Sequence, residues 1–167
     1  MTKPSLPDAE ELLTALTAQM RPHVTAQTGL VGIVTGGAWL AERLHRDLGL
    51  EVPHGSLDVS FYRDDFQHKG LKHQVMPSAI PFEVEGRDLI LVDDVLYTGR
   101  TIRAAMNELF DYGRPASIRL AALVDRGGRE LPITAQFVGT MLELPAQYNI
   151  ELKRDAQGRL SLALQQP

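Results

Sequence analysis

The 167-residue chain is 44% hydrophobic with one Trp, enough for one core-bearing domain and too little for two, so residues 1–167 are expected to form a single unit. Zero Cys excludes disulfides, thiolate metal sites and thiol chemistry, and a formal net charge of -4 argues against whole-surface attraction to nucleic acid or anionic lipid. No apolar run reaches the ~18 residues of a membrane span, and the opening MTKPSLPDAEELL lacks the apolar segment of a secretion signal, so a soluble cytoplasmic protein is expected.

In chain order, Asp8 followed by Glu11 reads as a capping arrangement, and Leu12, Leu13, Leu16 and Met20 then predict a first helix. LVGIVTGG, from Leu30 to Gly37, predicts a strand entering a glycine turn. Leu40, Leu44 and Leu48 predict the helix after it, stopped by Gly49. LDVSFY, from Leu57 to Tyr62, alternates as a strand, and RDDFQHKGLKHQVMPSAIP after it has no period and reads as a long loop. DLILV predicts a strand over Asp88 to Val92. A helix follows from about Thr101 to Tyr112, with Ile102, Met106 and Leu109 on one side and Gly113 as its stop. SIRLAALV is a further strand, and NIELKRDAQGRLSLALQ reads as a terminal hairpin around a glycine turn. Alternating apolar strands and helices predict an α/β fold with a parallel sheet buried on both faces.

LILVDDVLYTGRT, from Leu89 to Thr101, sets two acids after an aliphatic strand and a short hydroxyl-rich loop after the acids. In an open parallel sheet, ligands bind outside the carboxyl ends of the strands, where Asp93 and Asp94 are expected. One acid there is as often a helix cap or a solvated residue. Two adjacent acids raise each other's pKa unless a cation or hydroxyl donors offset the repulsion, so the pair needs a partner. Tyr97, Thr98, Gly99, Arg100 and Thr101 supply backbone N–H groups, two Thr hydroxyls and close backbone approach at a helix start, which suits a phosphate. The run is neither a P-loop nor a dinucleotide fingerprint, because no Gly-Lys-Ser/Thr occurs and the acids come first. Carboxylates suit a vicinal diol and repel phosphate. A compact ligand with hydroxyls at one end and phosphate at the other fits this order, as ribose 5-phosphate does.

These residues resemble the phosphoribosyl pyrophosphate motif of type I phosphoribosyltransferases. With FYRDD (Phe61 to Asp65) upstream and YGRPASIRLAALVDRGGRELPI downstream, the chain is similar to the pyrimidine operon regulators that double as uracil phosphoribosyltransferases. The resemblance runs from about Leu30 to Gly139. It implies a parallel sheet under a small hood, a homodimer or higher homo-oligomer, and magnesium held mainly through the substrate. It also implies conversion of uracil and phosphoribosyl pyrophosphate to UMP and pyrophosphate, and UMP-dependent binding of pyr messenger RNA. By the same match, Arg63, Asp93 and Asp94 are the catalytic residues, Tyr97 to Thr101 bind the phosphoribosyl group, and Thr35, Gly36 and Gly37 form the pyrophosphate turn. Asp125, Arg126 and Arg129 form a base or RNA region.

The chain departs from the family pattern in three places. Gly36 stands where the family's pyrophosphate turn carries Arg, which predicts slower turnover with UMP affinity intact, and Gly36→Arg is expected to restore rate if the backbone accepts the side chain. Ala15, Ala18 and Gly128 replace cations or His on the RNA face, predicting weak RNA binding with a shallow salt dependence. TMLELPAQYN replaces a Lys-containing segment, and no contact is carried over there. Lys69 and Lys72 read first as solvated loop cations, the five His show no metal-ligand spacing, and Trp39 reads as core or interface. The alternative to an enzyme is a non-catalytic nucleotide-sensing regulator. A receiver-type domain is disfavoured because its acids would stand at the start of the chain.

Overall fold

The computed structural model describes residues 3–60 and 78–166. Its main sheet is parallel, in the order β2-β1-β3-β4-β5, with β1 Gly29–Ile33, β2 Gly55–Leu57, β3 Asp88–Leu96, β4 Ser117–Asp125 and β5 Phe137–Met141. Three α-helices cover it among the described residues: α1 Ala9–Met20, α2 Gly36–Leu48 and α3 Arg100–Phe110. Alternation along β3 sorts the layers. Ile90 and Val92 pack with Leu13, Leu16 and Met20 of α1 and Leu40 and Leu44 of α2, whereas Leu89 and Leu91 pack with Ile102, Ala105 and Leu109 of α3. Each such Leu or Ile, removed from water, contributes roughly 1.5–3 kcal/mol relative to exposure.

The predicted helices form where their caps and periods place them. Asp8 Oδ1 accepts from the Glu10 and Glu11 N–H groups at 2.8 and 3.4 Å, and Gly49 ends α2 at φ 65°. Strand ends differ from expectation. β2 lies at 55–57 because Ser56 exchanges backbone bonds with Ala79 and Leu57 accepts from Val34 N–H, after which Asp58 Oδ1 turns the chain by accepting from Ser60 N–H. Residues 61 and 62 of the expected strand lie outside the described residues. β3 runs past the expected Val92 to Leu96, since its ladder with β4 continues through Asp93↔Ala122 and Leu96↔Asp125. β5 is a strand that sequence periodicity missed: Gly139 and Thr140 interrupt its apolar run, and only Phe137 of its residues is buried.

The expected terminal hairpin is present as β6 Asn149–Arg154 and β7 Leu160–Gln165, antiparallel with Leu152 opposite Leu162. Asp155 Oδ1 accepts from Gln157 and Arg159 N–H at 2.9 Å, which closes the turn that Gly158 enters at φ 84°. Leu152 and Leu160 join the α1 side of the core. Glu10 fastens the hairpin there: it accepts two bonds from Arg43 of α2, at 3.1 and 2.8 Å, and one from Leu160 N–H at 2.9 Å. Among the described residues no helix is long and apolar enough to cross a membrane.

Candidate active site

The chain leaves β1 for β2 on one side, and β3 lies on the other, so the strand order reverses between β1 and β3. A crevice at the carboxyl ends of these two strands follows from that topology. One wall is the Thr35–Gly37 turn that opens α2, and the other is the end of β3 with the turn that opens α3. Neither helix has an acid in its first turn, and neither N-cap residue, Thr35 or Gly99, gives a side-chain cap. Two helix amino ends with their positive partial charge therefore meet at one sheet edge.

Between them lie the two acids. Asp93 and Asp94 are 3% and 8% exposed, still inside β3. Each orients its neighbour: Asp93 Oδ1 accepts from Asp94 N–H and Asp94 Oδ1 from Val95 N–H, both at 2.9 Å. Strand alternation sends Asp94 to the α2 side and Asp93 to the α3 side. The α2 turn is packed tightly against Asp94. A Cβ at Gly36 would lie 2.9 Å from Asp94 Cγ, with Oδ2 closer still, and a Cβ at Gly37 would sit 3.2 Å from Val92 C. Gly36 thus occupies a position where a side chain requires Asp94 to move, a constraint invisible in the sequence.

Past the acids, Gly99 takes φ 93° and starts α3, and the buried Thr98 accepts the Arg100 N–H on its Oγ1 at 3.2 Å. The segment after β4 wraps this turn. Thr98 O accepts from Glu130 and Leu131 N–H at 2.9 and 3.1 Å, and Arg100 Nε meets Glu130 Oε1 at 2.9 Å. Thr101 is half-buried in the first turn of α3.

Asp125, Arg126 and Arg129, expected to form a base or RNA region, are brought together at the end of β4 and bonded to neighbouring segments. Arg126 is 5% exposed, lies 4.1 Å from the Tyr97 ring centroid, and donates to Tyr148 O and Pro145 O at 2.8 and 3.3 Å. Arg129 donates from Nε to Ile133 O at 2.8 Å, from Nη1 to Tyr97 O at 2.7 Å and from Nη2 to Asp125 Oδ2 at 2.6 Å. Asp125 Oδ1 accepts from Gly127 N–H at 3.0 Å. Arg126 Nε has no hydrogen-bond partner among the described residues, and the Arg129 side chain keeps 24% of its surface exposed. Gly128 has φ 76°, and a Cβ there would lie 2.9 Å from Tyr97 Cδ1, so the Tyr97 ring leaves no room for a side chain at this position. Ala15 and Ala18 do lie exposed on the outer face of α1.

Arg63, Lys69 and Lys72 lie outside the described residues. Sequence reasoning did not single out Asp58, which is 8% exposed at the end of β2, one residue beyond the Leu57 carbonyl that accepts from Val34 N–H just before the Thr35–Gly37 turn. A polar residue closing a buried strand was the available signal. Trp39 is half-buried against the core, with the Arg154 guanidinium 4.7 Å from its ring centroid. The groove beside it, about 590 Å³, contains Arg43, Arg46, Arg154 and Arg159, and each of these has a carboxylate partner, in Glu10, Asp47, Glu42 and Asp8. It is separate from the crevice.

Among the described residues no group of three His, Cys, Asp or Glu is placed to hold a metal by itself. The donor set at the crevice nonetheless suits magnesium, which takes oxygen ligands and is commonly held by one or two carboxylates together with substrate phosphates. The carboxylates of that donor set are Asp93 and Asp94, 3% and 8% exposed.

Known proteins similar to this chain identify its family and fold. The family model described as "Phosphoribosyl transferase domain" matches residues 6–150. A protein of Pseudomonas aeruginosa strain LESB58 named Bifunctional protein PyrR is 55% identical over 153 residues, covering 89% of each chain. One of the same name from Pseudomonas fluorescens is 49% identical over 162 residues, covering 95% of this chain and 96% of its own. Among solved structures, a hypoxanthine-guanine phosphoribosyltransferase of Bacillus anthracis superposes with a TM-score of 0.67 at 20% identity, covering 85% of each chain. The Leishmania tarentolae enzyme in complex with GMP gives 0.64 at 19% identity, covering 86% of this chain and 84% of that one. At such identities the structures speak to the fold alone, and the sequence relatives specify the branch: the chain belongs to the PyrR family of phosphoribosyltransferase-domain proteins.

Proposed function

We propose that the protein transfers the phosphoribosyl group of phosphoribosyl pyrophosphate to uracil, giving UMP and pyrophosphate, and that its UMP-bound state serves regulation of pyrimidine synthesis. The observation that carries this reading is the acid pair set between two helix amino ends at the β1/β3 switch point. Phosphoribosyl pyrophosphate has the matching order: a phosphate, a diol, then a pyrophosphate. The 5'-phosphate is assigned to the Tyr97–Thr101 turn, the 2'- and 3'-hydroxyls to Asp93 and Asp94, and the pyrophosphate to the N–H groups of the Thr35–Gly37 turn. Arg63 is assigned to the pyrophosphate on its sequence match.

In the reaction the C1'–O bond to pyrophosphate breaks, the bond from C1' to uracil N1 forms, and the N1 proton leaves. Positive charge grows on the sugar and negative charge on the leaving oxygens. The buried carboxylates face the first and the α2 amino end the second, both fixed before the reaction begins. Magnesium, when bound with the substrate, adds charge stabilisation at the pyrophosphate. RNA affinity is expected to be weak, because α1 exposes Ala15 and Ala18 and the Arg126 and Arg129 guanidinium groups are internally bonded.

The test is an assay of uracil conversion with phosphoribosyl pyrophosphate and magnesium, beside UMP calorimetry. Asp93→Asn with Asp94→Asn is expected to weaken UMP binding by several kcal/mol, at roughly 1.5–3 for each charged hydrogen bond lost, while the protein stays folded. Unchanged UMP affinity in that double variant would remove the ribose assignment. No UMP formation by the wild type would remove the enzymatic one.

A further inference from the structure

We infer that Arg129 is a positioning residue that makes the Tyr97–Thr101 turn a receptor for phosphate, a deeper statement about the site that rests on the phosphoribosyl reading above. A short turn offers carbonyl oxygens as well as N–H groups, and a carbonyl facing an anion repels it. In a planar trans peptide the C=O and the following N–H point in opposite directions, so fixing the carbonyl of one residue aims the N–H of the next. Arg129 Nη1 holds Tyr97 O at 2.7 Å and thereby sets the direction of the Thr98 N–H. The next two residues of the same segment act on the following peptide: Glu130 and Leu131 N–H hold Thr98 O at 2.9 and 3.1 Å, which sets the Gly99 N–H. Gly99 O is taken by Arg103 N–H at 3.0 Å, within α3. The carbonyls from Tyr97 to Gly99 are thus all engaged by protein donors.

The guanidinium is itself fixed at three points. Its other two nitrogens bond Ile133 O and Asp125 Oδ2, and the Asp125 side chain is 6% exposed against 24% for Arg129. Each of the three nitrogens thus makes one bond inside the protein, which fixes the plane of the group. This explains why a planar fork rather than a single ammonium stands there: Lys reaches one of these acceptors well and cannot span all three in one plane. Arg129 also joins the two segments that flank the ligand, the one after β3 and the one after β4, so the phosphate turn and the region past β4 keep a fixed relation.

The experiment compares Arg129→Lys and Asp125→Asn with the wild type. Calorimetric titrations with ribose 5-phosphate, UMP and uridine are run beside thermal unfolding and a split of kcat from the KM for phosphoribosyl pyrophosphate. Both variants are expected to bind ribose 5-phosphate and UMP about 10-fold more weakly, with uridine affinity unchanged and the kinetic loss in KM, as befits one weakened charged contact. Equal affinity for UMP in folded variants, or equal losses for UMP and uridine, would overturn the inference. So would global unfolding of both variants, which would make the pair a support of the core. If the wild type binds ribose 5-phosphate and not UMP, the pyrimidine reading fails alone and ribose 5-phosphate decides the role of Arg129. If it binds neither, both fail.

Discussion

A side chain at position 36 has to share space with the Asp94 carboxylate, to which the ribose is assigned: its Cβ would stand 2.9 Å from Asp94 Cγ and nearer to Oδ2. The sequence resemblance alone leads one to expect Gly36 to act as a missing guanidinium, to be restored by Gly36→Arg. The packing makes it also a clearance, and the two readings give opposite results. Asp94 Oδ1 is held by Val95 N–H at 2.9 Å, so the carboxylate swings aside only by giving up that bond. Gly36→Ala is therefore expected to weaken UMP binding about 10-fold, the equivalent of one charged hydrogen bond, and Gly36→Arg is expected to leave turnover no higher than wild type. Turnover at saturating magnesium and substrate, with UMP calorimetry, measures both. A faster Gly36→Arg protein with unchanged UMP affinity would show that Asp94 yields at no cost.

At the scale of elements, α1, α2 and the hairpin meet at Glu10. The bidentate bond from Arg43 holds its carboxyl below the usual range, aided by the Leu160 N–H and opposed by burial. A depressed carboxyl pKa contributes stability that is fully present above the unfolded value and is lost as pH falls through the folded one. Glu10→Gln is expected to lower stability at pH 7 by about 1 kcal/mol, a charged bond discounted for its partial exposure, and the gap should close as pH falls below ~4.3. Denaturant unfolding of both proteins at pH 7 and pH 3.5 checks it, and a gap that widens in acid would contradict the ion-pair explanation. The same elements show what was legible beforehand. α2 and the hairpin follow from Leu40, Leu44 and Leu48 and from the period-two leucines around Gly158, since a local period and a glycine stop suffice. β5 was not legible, because Gly139 and Thr140 hide an edge strand whose existence depends on β4 beside it. The acid pair and the Tyr97–Thr101 turn were legible because they are contiguous. The inward turn of Arg126 and Arg129 was not, because their acceptors Tyr148 and Tyr97 lie 22 and 32 residues away.

At the scale of the whole molecule, the crevice exists because the strand order reverses at β1 and β3, which brings the amino ends of α2 and α3 to one edge with the acids between them. With a formal net charge of -4, long-range attraction for a nucleotide does not come from the molecule as a whole. It has to come from local donors, which is why their direction matters. Crystals grown with UMP test that most directly. Nucleotide density is expected with the ribose hydroxyls on Asp93 and Asp94 and the phosphate against the N–H groups of Tyr97–Thr101. A nucleotide seated instead in the arginine-lined groove beside Trp39, or with its phosphate at the Thr35–Gly37 turn and the acid pair untouched, would contradict it.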